Sequence, residues 1–174
     1  MKVIDTRIDS RYSGPLSVPT PWDDLLPLLT ATEIYTLTTI LPDGMPHTVP
    51  LTGAFDDLGF LFGTGPNEQK VVNITNDPRG SVQIGSALFA EGVDIVLRGR
   101  IERVTDRITL AWLAETFVTK YGEGWRFGVG SDSLLNADDL PCWVFRLVPE
   151  VGHAFVHGER GAQTPYEFAS EVQP

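Results

Sequence analysis

From Tyr35 to Ile40 the chain alternates, with Tyr35, Leu37 and Thr39 on one side and Thr36, Thr38 and Ile40 on the other. A period of two predicts a strand half buried in a barrel wall. The turn Pro42-Asp43-Gly44 leads to a second strand in PHTVPLTGAF, and Asp56-Asp57-Leu58-Gly59 leads to a third in FLFGTG. The period then changes to that of a helix, which opens at Pro66-Asn67-Glu68-Gln69-Lys70 and turns Val71, Val72 and Ile74 to a core. Asn76-Asp77-Pro78 ends it, because the residue before a proline is biased out of the helical region.

The remaining pattern adds elements on both sides. Residues 1–20, with Gly14, Pro15 and Pro19, read as an extended arm that wraps a partner subunit or stays mobile. Residues 21–174 read as one domain. Thr20 is the expected N-cap of a short helix with Pro21 first and Asp23 and Asp24 in its first turn; Pro27 keeps it short. Ser81 to Ile84 predicts a fourth strand, and Asp94 to Val104 a long one able to bend at Gly99. Asp106 caps a helix to about Lys120, whose stripe is Ile108, Leu110, Ala111, Leu113, Ala114, Phe117 and Val118. Two further strands, Cys142 to Val148 and Val151 to Val156, precede a short piece from Thr164 to Phe168. Six to eight strands with two or three helices describe a small antiparallel β-barrel, mainly β with some α.

Composition narrows the partners. A net charge of −10 leaves no basic stripe for phosphates, so no nucleic-acid partner is expected, and docking on anionic lipid is disfavoured. No apolar run is long enough to span a bilayer, and MKVIDTRIDS is no signal peptide, so the expected location is the cytoplasm, with no membrane partner. Cys142 is the only cysteine, which rules out an internal disulfide. Before Trp143-Val144-Phe145 it reads as a small buried hydrophobe rather than a nucleophile.

Lys70 is the strongest candidate for chemistry. A strand running into a glycine-containing loop, Phe62-Gly63-Thr64-Gly65-Pro66, and then a helix with a lysine in its first turns suits an anion such as phosphate. The alternative is a solvated lysine on a capped helix. His47-Thr48-Val49-Pro50-Leu51 is the second candidate, since proline in a strand marks an edge or bulge whose freed backbone groups can face a planar heterocycle. A plain edge strand is the competing reading. His153 and His157 lie roughly 13 Å apart on a strand at about 3.3 Å per residue, too far for one metal, and no metal site is expected. No triad or carboxylate pair stands out, because Asp56-Asp57 and Asp138-Asp139 fall in turns. Trp125 and Tyr121 either stack on a ligand or cap the core.

Several of these runs, in this order, resemble the pyridoxamine 5'-phosphate oxidase-like split-barrel family: Pro42 to His47, Gly65 to Asn73, Asp77-Pro78-Arg79, and Lys120-Tyr121 through Phe127. The resemblance implies a split barrel that dimerises, with two FMN or F420 sites in the subunit interface. It implies that Val49, Pro50 and Leu51 line the ring system, that Thr64, Gln69 and Lys70 hold the phosphate, and that Trp125 closes the site from the partner. It also implies hydride transfer through the cofactor to a small-molecule substrate, with no obligatory protein acid or base. FMN is the expected cofactor, F420 the alternative. A non-catalytic flavin, deazaflavin or haem-binding module, or a barrel with a degenerate site, would share the pattern. Three departures stand out. Glu68 and Gln69 occupy positions where many members carry cations beside the lysine. Thr164-Pro165-Tyr166-Glu167-Phe168 lacks two arginines of a common C-terminal motif, and no arginine and histidine set for pyridoxal phosphate is present. Vitamin B6 oxidation is therefore not expected.

Overall fold

In the computed structural model, which describes residues 1–85, 88, 90–158 and 161–169, the sheet is organised by its longest strand. The strands are β1 (Val3–Thr6), β2 (Tyr35–Ile40), β3 (Pro46–Leu51), β4 (Ala54–Phe55), β5 (Phe60–Thr64), β6 (Arg79–Ile84), β7 (Val93–Val104), β8 (Gly128–Val129), β9 (Leu134–Leu135), β10 (Pro141–Val156) and β11 (Ala162–Phe168). The helices are α1 (Trp22–Ala31), α2 (Gln69–Asn76) and α3 (Arg107–Tyr121). Strand β10 pairs with β7 along most of its length. Its other edge pairs with β5 through Trp143 to Leu147 and with β11 through Val151 to Val156. This change of neighbour splits the barrel. The main path runs β1-β11-β10-β7-β6-β2-β3, and every pairing is antiparallel.

Two cores follow from the two faces of β5 and β10. Phe60, Phe62, Phe145 and Leu147 point inward with Tyr35, Leu37 and residues of α1 and α2. Leu61 and Val144 point outward, where Leu110, Leu113, Ala114 and Phe117 of α3 cover them. Burial on both faces explains why these strands read as nearly continuous apolar runs. Arg146 also points to the covered face, where Asp56 accepts its Nη2 at 2.5 Å.

Several sequence expectations are met here: the alternation of β2, the long strand β7, and Asp106 as the α3 N-cap, which accepts the Thr109 N–H at 2.8 Å. Others are corrected. Pro21 rather than Thr20 takes the N-cap of α1, because the Thr20 N–H is drawn to the Thr164 hydroxyl at 3.0 Å. The helix then runs through Pro27, held by Leu25 and Leu29 in the core. The two strands expected around residues 142–156 are one, since Pro149, which has no N–H to offer, falls where the register against β7 shifts. Ile108 is 85 % exposed and Val72 half exposed, so the apolar stripes of α3 and α2 are narrower than their sequences suggest. The N-terminal arm lies on its own chain: β1 pairs with β11, and the Asp9 and Gly14 N–H groups donate to Gln163 and Gly161 carbonyls. No helix among the described residues is long and apolar enough to cross a membrane.

Candidate functional site

The end of β5 delivers Thr64 to the start of α2. The helix begins at Gln69, three residues after the expected Pro66, because Gly65 to Glu68 close a turn first. The Glu68 N–H donates to the Gly65 carbonyl at 3.2 Å, and Glu68 itself is extended. Lys70 is thus the second helical residue. Its Nζ donates to the Thr64 hydroxyl at 3.0 Å and to the Glu68 carboxylate. The other Glu68 oxygen accepts the Gly65 N–H at 2.9 Å. Burial works to raise the Glu68 carboxyl, but Lys70, Gly65 and Thr64 outweigh it and hold it below its ordinary value. An anion is therefore already seated among the donors that the sequence assigned to phosphate.

Gln69 does not join this cradle. Its amide donates to Asn73 Oδ1 at 2.9 Å, and Asn73 in turn donates to Thr39 at 2.9 Å. Thr39 lies opposite His47 in the β2–β3 pairing. That chain of contacts ties α2 to β2, the strand that pairs with β3 and its Val49, Pro50 and Leu51.

Strand β3 is a sheet edge, as its prolines predicted. Pro46 and Pro50, opposite Ile40 and Thr36, lack N–H groups and so occupy pairs without ladder bonds. Residues 46, 48 and 50 consequently turn their backbone groups outward, offering three carbonyls but only the Thr48 N–H. Val49 and Leu51 pack against the inner core, and the neighbouring His47 Nδ1 is buried without a partner. On this edge the Thr48 N–H can donate to a ring carbonyl of a flavin-like heterocycle, and one of the neighbouring carbonyls can accept from its single ring N–H. The Lys70, Thr64 and Gly65 donors fit its phosphate, provided the Glu68 carboxylate moves aside.

The far end of β3 is held by a latch that the sequence did not signal. Lys120 Nζ donates to the Tyr35 hydroxyl at 2.7 Å and to the Gly53 carbonyl at 3.2 Å, lying over the rings of Tyr35 and Tyr121. The Tyr121 hydroxyl accepts the Gly53 N–H at 3.0 Å and lies 2.9 Å from the Glu33 carbonyl. Burial pushes the Lys120 ammonium down to about 8, with Glu33 pulling the other way. Unfolded lysine titrates near its ordinary 10.5, so between these values the unfolded chain binds more protons and stability rises with pH. Burial raises Tyr35 and Tyr121 above their ordinary 10.0, which reverses the slope at higher pH. The urea midpoint is therefore expected to climb from about pH 8 to pH 10, and Lys120→Met to lose that climb; equal slopes in both proteins would assign it elsewhere.

Trp125 sits on the α3 side of β5. It packs on Phe117 and Tyr121 at 6.0 and 5.3 Å between centroids and remains 38 % exposed. No contact within the chain joins it to Lys70. Burial pushes the Cys142 thiol up to about 11, with Glu68 adding to the effect, so it is protonated at neutral pH. Arg103 is a cation that local pattern could not reveal. Its guanidinium lies 4.6 Å over Trp143, the residue opposite Thr64, and donates to the Val104, Val144 and Asp132 carbonyls at 3.1, 3.3 and 3.0 Å. His157 bonds Asp94 at 2.9 Å just beyond β10. A groove of about 280 Å³ lined by Met1, Leu26, Phe55, Asp56, Asp57 and Trp112 contains none of the cradle residues.

Comparisons with known proteins agree with this architecture. The chain is similar to a conserved hypothetical protein from Mycobacterium tuberculosis, with 19 % identity, a TM-score of 0.65, and coverage of 79 % of this chain and 86 % of the other. An FAD-binding protein from Mesorhizobium loti matches at 21 % identity and TM-score 0.56, covering 85 % and 95 %. An F420 reductase matches at 20 % identity and TM-score 0.54, covering 78 % and 98 %. At these identities the likeness is one of fold. No curated protein matches the sequence. The family described as pyridoxamine 5'-phosphate oxidase matches residues 22–135, from the start of α1 to the end of β9 and so across both β3 and the Lys70 cradle, and the chain belongs to that family.

Proposed function

We propose that the chain is a cytoplasmic, homodimeric, FMN-binding oxidoreductase whose two cofactor sites lie in the subunit interface, acting on a small-molecule substrate. The observation that carries this reading is the cradle of Thr64, Gly65 and Lys70, which already holds an anion at the start of α2. In the proposed complex Lys70 and Thr64 hold the phosphate, joined by the N–H groups of Gln69 and Lys70 at the start of the helix. One outward carbonyl of β3 accepts from the single N–H of the ring edge and the Thr48 N–H donates to a ring carbonyl, while Val49 and Leu51 support the strand from the core. Gln69 acts through Asn73 and Thr39, fixing α2 against β2 rather than touching phosphate. Bound FMN would supply hydride transfer at its ring, and the protein supplies position and exclusion of water. Trp125, 38 % exposed, would cover the partner subunit's site in the proposed dimer.

F420 brings an acidic tail as well as a phosphate. A chain at net −10, with Glu68 beside the anchoring lysine, is a poor host for that tail. The test is titration of cofactor-free protein with FMN, F420 and haem, followed by absorbance and fluorescence, with the mass in solution measured alongside. Saturable binding of FMN at one site per subunit of a dimer is expected. Preferential binding of F420 or haem, or a monomer that binds none of the three, would overturn the reading.

A further inference from the structure

We infer that Glu68 is a built-in competitor for the cofactor phosphate, an intramolecular anion that must leave before a phosphate can enter. The inference rests on Lys70 being the phosphate anchor. One Glu68 oxygen accepts from the Gly65 N–H at 2.9 Å, and the other pairs with Lys70 Nζ, whose remaining contact is Thr64 at 3.0 Å. These are the donors a phosphate would use, and two anions cannot share them without strong repulsion.

Three features make the carboxylate displaceable. Its side chain is 52 % exposed, whereas that of Lys70 is only 13 % exposed, so the acid can swing into water while the lysine stays. Glu68 occupies the N-cap of α2, yet its side chain accepts no bond from the helix backbone. Its departure therefore strips no cap. The turn itself is closed by backbone, Glu68 N–H to Gly65 carbonyl, and survives the movement.

Two consequences follow for recognition. Without ligand, Lys70 keeps a partner, and the cradle resists weakly bound anions. A ligand succeeds only if it offers Lys70, Gly65 and the first turn of α2 more than one carboxylate does, which a phosphate dianion with three free oxygens can. Glu68 is thus a specificity-determining residue. It raises the threshold for every anionic ligand, whereas a flavin without phosphate is indifferent to it.

The test compares wild type with Glu68→Gln, which keeps an oxygen for the Gly65 N–H but removes the charge. FMN, riboflavin and inorganic phosphate serve as probes, the flavins followed by fluorescence and the phosphate by thermal shift. The variant is expected to bind FMN about tenfold more tightly and riboflavin unchanged, and to show phosphate stabilisation at about tenfold lower concentration. FMN and phosphate affinities that are unchanged or weaker in the variant would overturn the inference while leaving FMN binding by wild type intact. Tighter phosphate binding by the variant with no binding of FMN to either protein would uphold the competitor role and overturn the FMN reading instead.

Discussion

Gly99→Ala is expected to destabilise the protein by about 3 kcal/mol or more, a large share of the roughly 5–15 kcal/mol typical of a domain. A Cβ at residue 99 would stand 1.9 Å from the Val148 carbonyl oxygen, 2.8 Å from its carbon and 2.9 Å from Pro149 Cα. All three are backbone atoms, so no side-chain rotation relieves the clash. The contact lies where β7 meets β10 at its register shift, with Gly99 opposite Pro149. Strand β10 joins both halves of the sheet, so parting it from β7 also disturbs Arg103 and Trp143 beyond the register shift. Gly124→Ala is the control, because a Cβ there meets nothing within 4 Å; its effect should stay within about 0.5 kcal/mol. Urea midpoints of the three proteins decide the matter. A Gly99→Ala midpoint equal to that of the control would mean that β7 and β10 can move apart locally without cost.

Gly99 was legible as a special position because an isolated glycine inside a strand marks a bend or a close backbone approach, and the structure shows the close approach. Strand β2 was legible for a similar reason: each step of its pattern meets a different environment, with Tyr35, Leu37 and Thr39 buried between intermediate neighbours. Where the reading failed, a side chain or neighbouring strand had changed the local rule. Pro66 looked like the first residue of a helix, but the Glu68 N–H closing on the Gly65 carbonyl holds residues 65–68 as a turn. The break expected between Val148 and Val151 is instead a register shift, where the missing donor of Pro149 is not needed. Within the candidate site, Thr64 and Lys70 were visible because they are six residues apart and meet through one loop. Glu68 was read as a cation lost, when its geometry makes it an anion gained. Arg103 and Lys120 carried no local signal: Lys120 meets Tyr35 across 85 positions of sequence, and only the folded sheet brings them together.

Lys70→Ala is expected to weaken FMN binding by about 10- to 100-fold, the loss of one charge-assisted contact of about 1.5–3 kcal/mol. Riboflavin, which brings no phosphate to the cradle, should bind the variant and wild type alike. The melting temperature of the cofactor-free protein should barely change. What Lys70 loses there is a pair with a half-exposed carboxylate and one hydroxyl contact, and such pairs contribute about 0–1 kcal/mol. A marked fall in melting temperature with unchanged FMN affinity would make the lysine a structural strut and remove the anchor from the proposed site. The pairing with Glu68 sharpens the test further, because the two residues act on the same phosphate in opposite senses and through each other. If Glu68 opposes FMN mainly by occupying Lys70, the gain from Glu68→Gln should largely vanish once Lys70 is alanine. Additive effects in the double variant would instead mean that Glu68 repels the phosphate directly, from the Gly65 N–H, whatever Lys70 does.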